Sequence, residues 1–217
     1  AVSNGGGIYN TSSSSPTLTN STFSANSAGS NGGAIYGATA SSVLANCTFL
    51  GNLASNGGGM YNTGSSPVLT SSTFSDNSAT SEGGGMYNLY SSPRLTNCAF
   101  VGNSASKRGG GMFNWNTLNA GKPTLSDVTF SGNLAGDEGG GMYNRNITPT
   151  LTNVGFFKNK VTGTNGKGGG MYNHSGSSPT LTRCAFESNR ALNGGGVYNY
   201  SSSSPTLTGK TATRAMP

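Results

Sequence analysis

Large apolar residues stand at fixed intervals along this chain, separated by glycine, serine, threonine and asparagine. A hydrophobe closes a glycine-rich run at Ile8, Ile35, Met60, Met86, Met112, Met142, Met171 and Val197, at steps of 27, 25, 26, 26, 30, 29 and 26 residues. Each run is followed by one Leu, from Leu18 to Leu207, and seven of them then by one Phe, from Phe23 to Phe186. A constant period of this length marks a repeat architecture. Residues 56–79 show the unit: Gly57-Gly58-Gly59-Met60-Tyr61-Asn62, a Ser-rich turn, Pro67-Val68-Leu69-Thr70, then Thr73-Phe74-Ser75-Asp76-Asn77. The three short alternating segments, punctuated by Gly, Ser, Pro and Asn, predict three strands and three turns per repeat. Proline sits at segment starts, where a strand tolerates a missing N–H.

One such unit cannot bury its apolar face, and stacked units can. Stacking aligns Leu18, Leu44, Leu69, Leu95, Leu125, Leu151, Leu181 and Leu207 in one internal column. Phe23, Phe49, Phe74, Phe100, Phe130, Phe156 and Phe186 form a second, and the Ile/Met/Val series a third. Ala28, Ala54, Ala79, Ala105, Ala135 and Ala191, with Val161, fill a tight corner. Asn26, Asn52, Asn77, Asn103, Asn133, Asn159 and Asn189 each follow a Phe by three residues and are expected to hydrogen-bond from coil to coil. The fold class is all-β: a parallel β-helix of about eight coils, three strands per coil, roughly 35–40 Å tall at about 4.8 Å per coil. Right-handedness is expected from the usual chirality of parallel crossovers. Residues 1–208 form one domain, and residues 209–217 leave the repeat, as a cap or as a foreign remnant.

The motif pair Gly32-Gly33-Ala34-Ile35 and Phe-x-x-Asn, the latter seven times from Phe23-Ser24-Ala25-Asn26 to Phe186-Glu187-Ser188-Asn189, resembles the repeat of the chlamydial polymorphic outer membrane proteins. Elsewhere in this chain the first motif takes the form Gly-Gly-Gly before Ile, Met or Val. The resemblance spans about residues 5–199. It implies a right-handed β-helical passenger domain, displayed outside the cell and used as an adhesin.

Composition adjusts this picture in a few places. With 36 Gly and only 8% charged residues, composition alone would suggest disorder, and the regular apolar placement argues against it. Neither a signal peptide nor an apolar run of about 18 residues is present, so no direct membrane insertion by this segment is expected. Exposed strand edges at the open ends suggest end-to-end self-association. Cys47, Cys98 and Cys184 share one repeat position with Ser21, Ser72, Val128 and Val154. The closest pair is two coils apart, beyond disulfide reach, so the three read as buried thiols. The net charge of +6 shows no cluster tracking one face, which argues against nucleic-acid binding. Glu82, Lys107 and Arg108, Asp137 and Glu138, and Lys167 alternate in sign on four successive coils, and are expected to form inter-coil salt bridges.

Two outward faces are candidate binding surfaces. If Met60 points inward, Tyr61 points outward, and Tyr9, Tyr36, Tyr61, Tyr87, Phe113, Tyr143, Tyr172 and Tyr198 form an aromatic ladder. Gly7, Ala34, Gly59, Gly85, Gly111, Gly141, Gly170 and Gly196 would lie beside it as a bare shelf. Such a face suits a sugar ring or another chain; alternatively the rings stack on each other and shield the sheet. Trp115, in the enlarged turn 115–122, is either a binding tip or a cover for Leu118, and the extended loop 162–167 is a second place where function could be grafted.

The second face flanks the Leu column, with Thr17/Thr19, Val43/Ala45, Val68/Thr70, Arg94/Thr96, Thr124/Ser126, Thr150/Thr152, Thr180/Thr182 and Thr206/Thr208. Thr pairs repeated about every 4.8 Å across the sheet and 6.6–6.8 Å along the strand can order water in a near-ice lattice. Outward Thr is equally an ordinary β-branched surface residue.

No catalytic constellation can be assembled. Of the six carboxylates, Glu82, Asp137 and Glu138 lie in the salt-bridge loops, Asp76, Asp127 and Glu187 scatter over different coils and positions, and His174 stands alone in a turn. Neither a glycosidase pair, a Ser/His/acid set nor a metal site follows, and no cofactor is expected. The leading expectation is a non-catalytic extracellular adhesin or stalk that binds a glycan or cell-surface protein through the Tyr/Gly face or the enlarged loops. An ice-binding solenoid is the alternative, and a fragment of a carbohydrate-active enzyme a second alternative.

Overall fold

The computed structural model describes residues 1–117, 121–209 and 212–214. The chain winds into a parallel solenoid in which every strand pairs with its counterpart one coil away. The coil containing Met60 has strands Met60–Thr63, Val68–Thr70, Thr73–Ser75 and Ser78–Glu82. Stacking gives three eight-stranded sheets, here called the Tyr, Thr and Phe sheets, and a fourth of five strands. The expectation of three strands per coil therefore needs one correction. The Ala corner straightens into a short fourth strand in five coils, from Leu53–Asn56 to Lys160–Val161. A two-residue stretch such as Ser104–Ala105 carries too little alternation to be read as a strand from sequence.

Register is one repeat per coil throughout. Leu69 pairs with Leu44 and Leu95, Phe74 with Phe49 and Phe100, and Met86 with Met60 and Met112. These columns form a single core in which the Phe rings stack face to face, with centroids 4.3–5.2 Å apart. The strand Ala212–Arg214 pairs with Ala185–Glu187, so the backbone of the Phe sheet runs on into the segment expected to leave the repeat.

Corners are turned by single residues with positive φ. Between the Thr and Phe sheets these are Asn20, Asn46, Ser71, Asn97, Asp127, Asn153 and Arg183, mostly the residue types that tolerate the left-handed region. The glycine run makes the tightest corner, and its three glycines have three different reasons. Gly83 has φ +68°, and a Cβ on Gly84 would lie 2.4 Å from the Ser104 and Gly110 carbonyl oxygens. On Gly85 it would lie 2.8 Å from Cδ1 of Phe100.

Polar groups that the solenoid buries are satisfied by ladders. The Asn103 Nδ2 donates to Asn133 Oδ1 at 3.0 Å and to the Phe74 carbonyl at 3.0 Å, while its Oδ1 accepts from the backbone N–H and Nδ2 of Asn77. The same pattern runs from Asn26 to Asn189, as the spacing predicts. A second ladder, Asn62 to Asn199, joins side-chain amides at 2.9–3.0 Å, and a third links Asn4, Asn31 and Asn56. The second could have been found: Asn follows the Met–aromatic pair in six successive repeats, counting the Val197–Tyr198 coil.

Candidate functional site: the outer faces of the sheets

The aromatic ladder lies on the outer side of its sheet, as alternation predicts, and is in register from Tyr9 to Tyr198. Its five central rings are not open to solvent, although Tyr9 at the end of the stack is exposed. Tyr61, Tyr87, Phe113, Tyr143 and Tyr172 are between 1% and 9% exposed and form a second apolar cluster, packed with Leu89, Trp115 and Tyr198. Neighbouring centroids stand 4.6–5.5 Å apart, stacked almost parallel.

Two flanking columns cover the ladder. On one side Arg108 lies over the Tyr143 ring at 5.7 Å, Lys167 lies 5.8 Å from the Tyr198 centroid, and Glu138 hydrogen-bonds Tyr172. On the other, Trp115, Arg145 and His174 follow one another down the sheet. The expected open aromatic face is thus corrected for Tyr61, Tyr87, Phe113, Tyr143 and Tyr172: in coils about 4.8 Å apart each ring fills the gap to the next. Burial raises the tyrosine pKa values, to about 12 for Tyr61 and Tyr143.

The bare glycine shelf is corrected as well. Cβ atoms built on Gly59, Gly85, Gly111, Gly141 and Gly170 would meet Phe rings of the core, so these positions face inward. These glycines precede the strands, which begin at Met60, Met86, Met112, Met142 and Met171. The N–H groups of both Gly85 and Met86 donate to the Gly111 carbonyl, and Gly59 and Met60 share Gly85 likewise. Register stays one to one, Met60 with Met86 and Met86 with Met112, so strict alternation simply does not extend to the glycine corner before the strand.

Trp115 ends the strand Met112–Trp115, half-buried, with Arg145 over its ring at 5.5 Å, so it is no loop tip. Leu118 lies outside the described residues. His174 ends the strand Met171–His174 and stacks between Tyr172 and Tyr200 at 6.0 and 5.3 Å, rather than standing alone in a turn. Its pKa is lowered, chiefly by burial.

The charge alternation resolves onto one residue. Arg108 holds Glu82 through Nη1 and Glu138 through Nε, both at 3.0 Å, and these are the two ion pairs among the described residues. Lys107, Asp137 and Lys167 take no part in one. Cys47, Cys98 and Cys184 are buried and unpaired, and burial pushes the Cys98 and Cys184 thiols up.

The Thr sheet, unlike the Tyr sheet, has exposed outward residues along its length. Its strands run in register from Thr17–Thr19 to Thr206–Thr208, with Leu inside and its flanking residues outside, except that Leu207, expected in the internal column, is exposed on the last strand. Thr150, Thr180, Thr206 and Thr208 are exposed, while Thr124, Thr152 and Thr182 are half-buried by their neighbours. The Thr182 and Thr208 hydroxyls lie 2.9 Å apart across two coils. Val43, Val68 and Arg94 interrupt the array in the second to fourth coils.

Coil geometry and continuous ladders define a parallel β-helix repeat protein. A family model described as right handed beta helix region matches residues 1–135, more than half of the chain, and the chain belongs to that family. No curated protein matches it.

Proposed function

We propose that this chain is a non-catalytic extracellular segment, a rigid stalk whose Thr sheet is its adhesive face toward a glycan or cell-surface protein. The observation that carries the reading is the contrast between the Tyr and Thr sheets: the Tyr sheet is roofed by its own side chains, and the Thr sheet leaves the hydroxyls of Thr150, Thr180, Thr206 and Thr208 exposed. The Gly-Gly-Ala-Ile and Phe-x-x-Asn motifs point the same way. The chemistry of the carboxylates supports a non-catalytic role, since Arg108 engages both Glu82 and Glu138, while Asn153 and Ser126 hold Asp127. Beads carrying the purified chain should attach to cells or immobilised glycans, and beads carrying Thr150→Tyr/Thr180→Tyr should not. Equal attachment by the two, or none by the native chain, overturns the reading.

A second reading has an observation of its own. Thr124/Ser126, Thr150/Thr152, Thr180/Thr182 and Thr206/Thr208 make a hydroxyl array unbroken over four coils, at spacings suited to ice. Inhibition of ice recrystallisation by micromolar protein, abolished in Thr150→Tyr/Thr180→Tyr, would replace adhesion by ice binding as the role of this face.

A further inference from the structure

Charge is distributed along the solenoid axis in an uneven way. Residues 1–75 carry no ionisable Asp, Glu, Lys or Arg, and five cations balance five carboxylates between residues 76 and 154. From residue 155 onward seven cations face the single carboxylate Glu187, so the whole formal charge of +6 resides there. Among the described residues Lys158, Lys160, Arg183 and Arg190 make no ion pair, and all four are exposed. Lys160 and Arg190 are direct partners on adjacent coils. Lys158 stands at the preceding corner with φ +54°, which turns its side chain away from the core.

The same two coils carry the sharpest irregularity of the Phe sheet. In the outward row that elsewhere holds Thr48, Thr73, Ala99 and Thr129, the sixth coil has Gly155. Phe157, two residues on, occupies that space: a Cβ on Gly155 would fall 2.2 Å from its ring. The result is a surface notch of about 260 Å³, with the half-buried Phe157 as one wall and Asp127, Asn153 and Arg183 on its rim. Asp127 accepts from Asn153 Nδ2 at 2.6 Å and from Ser126 Oγ at 2.9 Å, and its pKa is lowered by these hydrogen bonds. A second hollow lies past the corner, lined by Lys160, Thr162, Arg190 and Leu192.

We propose that this belt, from Arg183 across Phe157 to Lys158, Lys160 and Arg190, binds an acidic polysaccharide. An aromatic wall offers the apolar C–H face of a pyranose ring a surface. Guanidinium and ammonium groups on either side of it, four against the two nearby carboxylates Asp127 and Glu187, meet carboxylate or sulfate groups carried by successive sugars. Two hollows separated by one corner suit a chain with repeating anionic groups better than a single small anion. The belt lies off the Thr sheet, so it adds a ligand site to the proposed stalk and does not depend on the adhesive role of that face.

Calorimetric titration of the purified chain with polygalacturonate, heparin, neutral dextran and a DNA duplex, at low and raised salt, tests it. Polygalacturonate or heparin should bind and dextran should not; the first responding identifies carboxylate sites, the second sulfate. Lys160→Ser/Arg190→Ser should weaken binding about tenfold or more. Phe157→Ser should weaken it about fivefold without changing the salt dependence. Thr150→Tyr/Thr180→Tyr should bind these polymers like the native chain, which separates failure here from failure of the adhesive face. Absence of binding to both acidic polymers, or unchanged affinity in the Lys160/Arg190 variant, overturns the proposal. So does duplex DNA bound as tightly as polysaccharide with no effect of Phe157→Ser.

Discussion

The Phe100 ring and the Gly111 carbonyl occupy the space that a side chain on Gly85 would need: a Cβ there would lie 2.6 Å from the Gly111 carbonyl oxygen, 2.8 Å from Cδ1 of Phe100 and 3.2 Å from Cγ of Asn103. Gly85→Ala should therefore cost about 1–3 kcal/mol through overpacking. At the equivalent place in the second coil, the protein itself carries Ala34, fully buried. There the Phe23–Phe49 spacing is 5.2 Å, against 4.3 Å for Phe49–Phe74. Gly51→Ala is the control. A Cβ there meets nothing within 4 Å, so only the positive φ of 63° opposes it, at about 1 kcal/mol. Urea unfolding of the two variants should separate clash from backbone strain.

Asn103→Ala should be among the most damaging single changes. It removes the acceptor for the buried Asn77 N–H and the side-chain donor to the Phe74 carbonyl. A loss of about 2–4 kcal/mol is expected, with an unchanged slope against urea if the coil simply weakens. A loss below about 1 kcal/mol would mean that water or a shifted backbone takes over those bonds.

Tyr143→Ser distinguishes a roofed ladder from an open one. With the ring 2% exposed and stacked on Phe113 and Tyr172, truncation should cost about 3 kcal/mol. An exposed ring would lose little. Thermal unfolding of the variant decides, and little change would restore the open aromatic face.

Alkaline pH should unfold the chain through the same residues. Burial keeps Tyr61 and Tyr143 protonated up to about 12, whereas unfolded tyrosine ionises near 10. Between those values the unfolded chain binds fewer protons than the folded one, so stability falls as pH rises from about 10 to 12 and is unaffected below. Tyrosinate absorbance should rise together with loss of the β signal in circular dichroism. Ionisation of all tyrosines near 10 with the fold intact would contradict the burial.

Arg108→Met should cost no more than about 1–2 kcal/mol, because its side chain is 38% exposed and its partners Glu82 and Glu138 are 17% and 18% exposed. The variant should be less sensitive to added salt than the native chain. Salt sensitivity equal to the native value would mean that the bridges contribute nothing in solution.

Much of this could be read from spacing. The period placed Leu69, Phe74 and Met60 in their columns, and the Phe-to-Asn step placed Asn103 in its ladder, because burial and hydrogen bonding between identical coils demand identical positions. Outward direction was legible too: Tyr61 and Thr150 do leave the core. Exposure was not. Whether an outward ring meets water depends on what neighbouring columns lay over it, and Arg108, Glu138 and Lys167 reach the ladder from a corner whose angle the sequence does not state.

The repeat by itself determined the coil, its register and its inner columns, since each is a consequence of periodic burial acting on every unit alike. Only the tertiary structure decided what depends on departures from that periodicity. The glycine corner before the strand turns Gly85 inward, the short Ala strands add a fourth sheet, and Phe157 folds across Gly155 beside unpaired cations. These details are set by local backbone geometry and by distances in space that no interval along the chain encodes.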